Sequence, residues 1–303
     1  MDAPGSAYQP QMLLVHLPNK TVVEGRLLFF NAHYRIALLE VFSDSPLQPA
    51  NLGSSTKFGE KVFALARDDE SSLSVRRGTV LWHEPPECLK YMYCLSLSCE
   101  VARGGTGGPV IDQHGDVVGM AFRCLPNPDI LPVSILRTCI RMWTEFSRIA
   151  RPDLGIELRA FELLDVSHQE EIELEHNVTD GFIVSVVYDG STAARLGISQ
   201  GDMIVSYNGR SDFILHKFED FLLSIGWGLL ASVGSSWNVD LELEVYNPVK
   251  RTTRSITYPL EFSDASERNS NTSIVRNKLT NLWNFRSFYF HEVLWEKRFR
   301  QAK

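Results

Sequence analysis

The sequence predicts a mainly β molecule, with an all-β first half, a mixed α+β second half and a polar tail. Three observations carry this. Short strand-like runs separated by turn chemistry fill residues 12–122, a helical period first appears at 132–150, and strands then alternate with helices.

Taken in order, Met12 to Leu17 is apolar, Pro18-Asn19-Lys20 has turn chemistry, and Thr21 to Phe30 resumes with strand formers. Ile36 to Phe42, Lys61 to Ala66, Leu73 to His83, Met92 to Val101, Val110 to Ile111 and Val117 to Phe122 continue the series of a barrel or sandwich. Ile135, Cys139, Met142, Trp143 and Phe146 then recur at helical spacing, and the helix should end before Arg151-Pro152. In the second half Phe182 to Val187 and Met203 to Tyr207 read as strands, and Ser191 to Leu196 as a short helix. Lys217 to Ile225 sets Phe218, Phe221, Leu222 and Ile225 on one helical face, and Val239 to Tyr246 alternates strictly, as a half-buried strand does. The acidic residues Glu170, Glu171, Glu173 and Glu175 suit a solvated loop or exposed face. From Ser263 the chain turns polar and then basic and aromatic. That tail is expected to pack on the folded part, with a membrane-surface or partner helix as the alternative.

Composition bounds the function. A net charge of −7 and a pI near 5.7 argue against nucleic-acid binding, which rests on phosphate neutralisation. No apolar run approaches the roughly 20 residues needed to cross a bilayer. Cys88, Cys94, Cys99, Cys124 and Cys139 are odd in number and irregular in spacing, which suits free thiols better than a disulfide scaffold. A soluble intracellular protein, cytoplasmic or nuclear before organellar, is the expectation, with no metal and no cofactor.

The most informative run is Gly104-Gly105-Thr106-Gly107-Gly108-Pro109-Val110, followed by the turn Asp112 to Asp116 and the strand Val117 to Met120. It resembles the nucleophile segment of trypsin-like proteases, Gly-Asn/Asp-Ser-Gly-Gly-Pro. The segments Val15 to Thr21, Val23 to Leu27, Tyr34-Arg35-Ile36-Ala37-Leu38-Leu39 and Gly59 to Leu65 resemble the Deg/HtrA (protease Do-like) family. By this resemblance Thr106 stands at the nucleophile position, Arg35 at that of the triad aspartate, and Gly104 supplies an oxyanion-hole amide. The histidine segment would lie upstream of the matched part. A hydroxyl needs a base to remove its proton, and the base needs a carboxylate. With Thr106 and Arg35 in place, the resemblance implies a degenerate triad.

Asp153-Leu154-Gly155-Ile156-Glu157-Leu158, Gly181 to Val187, Asp189 to Ala194, Leu196 to Val205 and Asn208-Gly209 resemble the PDZ module of the same family. The implied architecture is a truncated trypsin-like double β-barrel (1–150), a PDZ-like α+β domain (151–262) and a tail (263–303). A peptide or protein C-terminus would add as a strand beside Ile156, Glu157 and Leu158, its carboxylate received by the amides of Leu154 to Ile156. Phe218, Phe221 and Leu222 would form the other wall. The implied function is a catalytically inactive homologue that binds peptides, with a homo-oligomer or active relatives as partners. A weak or conditional endopeptidase, or a fragment of a longer protease, is the alternative.

Overall fold

The computed structural model describes residues 13–44, 46–67, 72–82, 92–124, 127–232 and 239–264. The aromatic tail and Cys88 lie outside them. In chain order the strands of the first half are β1 (Leu13–His16), β2 (Val22–Asn31), β3 (Ile36–Val41), β4 (Lys61–Arg67), β5 (Leu73–Thr79), β6 (Leu95–Ser96), β7 (Pro109–Ile111), β8 (Val117–Phe122) and β9 (Asp129–Pro132). Helix α1 (Val133–Phe146) and β10 (Ala150–Asp153) lead into β11 (Ile156–Ala160), α2 (Val166–His176), β12 (Phe182–Val187), α3 (Thr192–Arg195), β13 (Met203–Tyr207), α4 (Leu215–Ala231), β14 (Asp240–Asn247), β15 (Thr252–Pro259) and β16 (Glu261–Asp264).

The first half forms two sheets. The smaller has the order β1-β2-β3, with β1 at one edge. The larger has the order β5-β4-β7-β8-β9-β6, and it closes on itself. A bridge between Val80 and Leu97 joins its two ends, with Leu81 N donating to Ser96 O at 2.8 Å and Ser98 N to Thr79 O at 3.0 Å. Closure removes the sheet's edges. Its interior is filled by Val62, Ala64, Val80, Leu95, Leu97, Val110, Val118, Ala121 and Ile130.

Sequence pattern and structure part company at two points. The run Met92 to Val101 yields only the two-residue strand β6, because the chain there turns to seal the barrel. Residues 170–175 form part of a helix, where their charge lies on an exposed face, one of the two settings expected for it. Asp165 accepts from His168 N as the N-cap of α2, and none of the helix is buried, so the acidic face is solvated as expected. Helix α4 runs six residues past Ile225, since Leu223, Trp227 and Leu230 meet a second core.

The second half is a five-stranded antiparallel sheet of order β11-β12-β13-β14-β15. Along β14, Leu241, Leu243 and Val245 are buried and Asp240, Glu242 and Glu244 exposed, as the alternation predicts. Strand β10 pairs instead with β16. Helix α4 rests on β10 so closely that a Cβ on Gly226 would overlap the carbonyl of Ala150.

The two halves share a core. Tyr34, Ile36, Tyr93, Phe122 and α1 residues Ile135, Leu136, Cys139 and Met142 pack with Leu223 of α4. At its centre lies Glu219 of α4, 3% exposed. Arg151 Nε and Nη2 donate to its two oxygens at 2.5 and 2.9 Å, and Tyr34 Oη donates to Oε1 at 2.5 Å. Burial alone would raise the Glu219 carboxyl; the Arg151 charge and hydrogen bonds outweigh it and hold the group below its ordinary pKa.

Candidate functional site

The glycine loop between β6 and β7 is laced to β8. Gly107 N donates to Ala121 O at 2.7 Å, and Ala121 N donates to Gly108 O at 2.8 Å. Glycine is required twice here: a Cβ on Gly108 would strike Leu65 O, and one on Gly105 would meet Val101 and Ala66 at 2.6 and 2.8 Å. Room for an Asn or Asp before the nucleophile position is therefore missing.

Thr106 is half-buried on this loop, and its Oγ1 accepts from Arg123 N at 3.1 Å. Among the described residues that amide is the hydroxyl's one hydrogen-bond partner. The backbone amides of Gly104 and Thr106 have no acceptor among the described residues, which is the condition an oxyanion-binding pair requires. Arg35 lies on the turn between β2 and β3 in the left-handed region at φ 55°. It is exposed, and its guanidinium sits 5.7 Å from the Phe122 ring centre. Phe122, which carries this contact, is followed in the chain by Arg123, whose amide bonds Thr106.

His33, two residues before Arg35, is held in the shared core. Its ring is edge-on to Tyr34 at 4.7 Å and its Nε2 is 4.0 Å from Glu219 Oε1. Burial, then the Arg151 charge, lowers its pKa to about 3 against the pull of Glu219, so the ring is neutral.

The second candidate region is the free edge of β11, which ends the five-stranded sheet. Leu154 is buried, and Tyr258 Oη donates to its carbonyl. Gly155 takes φ +62°, and a Cβ there would strike Ser191. Its amide donates to Asp153 Oδ1 at 2.8 Å, so an incoming carboxylate would compete with a carboxylate of the chain. Ile156 pairs with Val187 and Glu157 with Val186. Leu158 N does not bond to β12; it donates to the sulfur of Met92 at 2.8 Å.

The helical face drawn from the sequence is split by the packing. Phe218 and Leu222, expected as an open wall, are 4% and 1% exposed and belong to the core beneath the sheet with Phe182 and Tyr207. The sheet's own apolar face claims them. Phe221 is half-buried, 5.2 Å from Tyr207, with Arg210 stacked 5.0 Å from its ring. Periodicity alone does not reveal Met92, Glu219 or Arg151: Met92 meets Leu158 66 residues on, Arg151 meets Glu219 68 residues on, and Tyr34 lies 185 residues from Glu219.

None of the four described cysteines is in a disulfide, and burial pushes the Cys94 and Cys139 thiols well above their ordinary values. No described helix is long and apolar enough to cross a membrane.

Against known proteins, a model of the trypsin-like peptidase domain matches residues 2–120. The putative protease Do-like 14 of Arabidopsis thaliana is 26% identical over 208 residues, which are 65% of this chain and 48% of the relative. The periplasmic serine endoprotease DegP of Escherichia coli is 23% identical over 265 residues, 80% of this chain and 54% of the relative. The chain thus spans about half the length of these curated relatives. Among solved structures, the HtrA-type protease AlgW with a tripeptide superposes with a TM-score of 0.57 at 17% identity, over 84% of this chain and 82% of that one. AlgW with a decapeptide gives 0.54, also at 17%, over 84% and 76%. At such identities the likeness establishes a shared fold.

Proposed function

Because the chain belongs to the Deg/HtrA family of trypsin-like proteases, we propose that it is a catalytically inactive member that captures peptides or protein C-termini through a PDZ-type groove along β11. The observation that carries this reading is Arg35. A triad carboxylate orients the histidine and stabilises its positive form; a guanidinium at that position opposes both. Thr106 adds a methyl group that restricts its rotamer, and its hydroxyl is engaged by the Arg123 amide. Loss of a triad's nucleophile or base costs on the order of a million-fold in turnover.

Binding needs no triad. An edge strand offers backbone groups to an extended peptide, and the solved AlgW structures are described with peptides bound. The groove would accept apolar C-terminal residues beside Phe221. On an array of decapeptides ending in varied residues, capture should favour apolar ends. Gly155→Arg should weaken it at least about tenfold, because the side chain would enter the space of Ser191 at a backbone angle suited to glycine. Capture that survives Gly155→Arg unchanged would place binding elsewhere.

A second reading, a weak endopeptidase, has one observation in its favour: the Gly104 and Thr106 amides have no acceptor among the described residues. An oxyanion site of this kind retains a small part of a protease's rate enhancement.

A further inference from the structure

Strand β11 sits at the sheet edge, and a peptide adding to that edge needs the outward amide of Leu158 as a hydrogen-bond donor. In this structure that donor is occupied. Met92, from the segment entering β6 in the first half of the chain, accepts from Leu158 N at 2.8 Å and packs, partly buried, against the core of the second half. Its side chain also borders a small cavity with Leu163, Ile214, Leu215 and His216, at the start of α4. A flexible thioether fits such an irregular gap and serves as a weak acceptor.

The segment is pinned where it leaves the groove. Tyr93 and Cys94 are each 5% exposed in the shared core, and Tyr93 Oη donates to His33 O at 3.1 Å. Met92 is therefore delivered to β11 by an anchored chain, in the position a ligand residue would take between strand and helix.

We propose that Met92 is a built-in competitor for the groove: the molecule described here is its self-occupied state, and a peptide binds by displacing the methionine from Leu158. This rests on the groove reading above. The free, competent form is then a minor population, and apparent affinity falls by that fraction. Trimming the side chain should relieve the deficit, while anything that fixes Met92 in place should deepen it.

The test uses the full chain and fluorescein-labelled decapeptides ending in Val, Leu or Phe, followed by polarisation, together with amide hydrogen exchange at Leu158. Met92→Ala should tighten peptide binding about tenfold, and Met92→Leu, which keeps bulk but lacks the sulfur acceptor, by less. Exchange at Leu158 should quicken in both unliganded variants. Unchanged affinity in both, with Gly155→Arg still abolishing capture, overturns the competitor role and leaves the groove reading standing. Capture by none of the chains overturns the groove reading itself, and the role of Met92 with it.

Discussion

Replacing Glu219 by alanine is expected to lower the unfolding free energy by about 3–5 kcal/mol, as removal of one partner from a buried ion pair does. The cause is what it leaves behind. Arg151 would keep its charge in a shared core with neither of its carboxylate oxygens, and Tyr34 Oη would lose its acceptor. Both donors come from different parts of the chain: β10, and the turn that bears Arg35. The loss should therefore loosen α4 from the first half as well as reduce stability. Replacing the pair together, Glu219→Leu with Arg151→Met, should recover most of the loss, since apolar residues of similar volume leave no charge uncompensated. Urea denaturation of the three variants measures this. A Glu219→Ala loss under about 1 kcal/mol would show that the cluster is solvated rather than buried.

Acid should destabilise the fold well before its carboxylates titrate. His33 and His216 have folded pKa values lowered to about 3 and about 4, in both cases chiefly by burial and then by a neighbouring cation, Arg151 or Lys217. In the unfolded chain each titrates near 6.5. Between those limits the unfolded state binds more protons, so stability is full above pH 6.5 and falls as pH drops toward the folded values. At pH 5 each histidine accounts for about 2 kcal/mol of loss, about 4 kcal/mol together, a large part of a typical domain's stability. Urea midpoints at pH 7 and pH 5 should differ accordingly, and His216→Asn should remove about half of the difference. Equal midpoints would mean that both rings reach water.

Much of this molecule can be read from local pattern. Alternation fixes β14, the turn chemistry separates the barrel strands, and the Leu154-Gly155 loop announces the edge strand that follows it. What local pattern does not contain is closure and docking. The Val80–Leu97 bridge depends on β5 and β6 meeting around a barrel, so a ten-residue apolar run shrinks to a strand of two. Phe218, Phe221 and Leu222 share one helical face by spacing, yet the sheet buries two of them and leaves the third beside Arg210. The Glu219 cluster and the Met92 contact join residues far apart in sequence, where neither period nor motif gives a signal. For the glycine loop the motif located the hydroxyl, while its engagement by the Arg123 amide follows from the pairing of β7 with β8.

In the inactive molecule proposed above, no base activates the Thr106 hydroxyl. Incubation of the purified chain with casein, beside its Thr106→Ala variant, addresses this most directly. Equal, background-level release of fragments by both chains is the predicted result. Cleavage by the native chain that Thr106→Ala abolishes would contradict it.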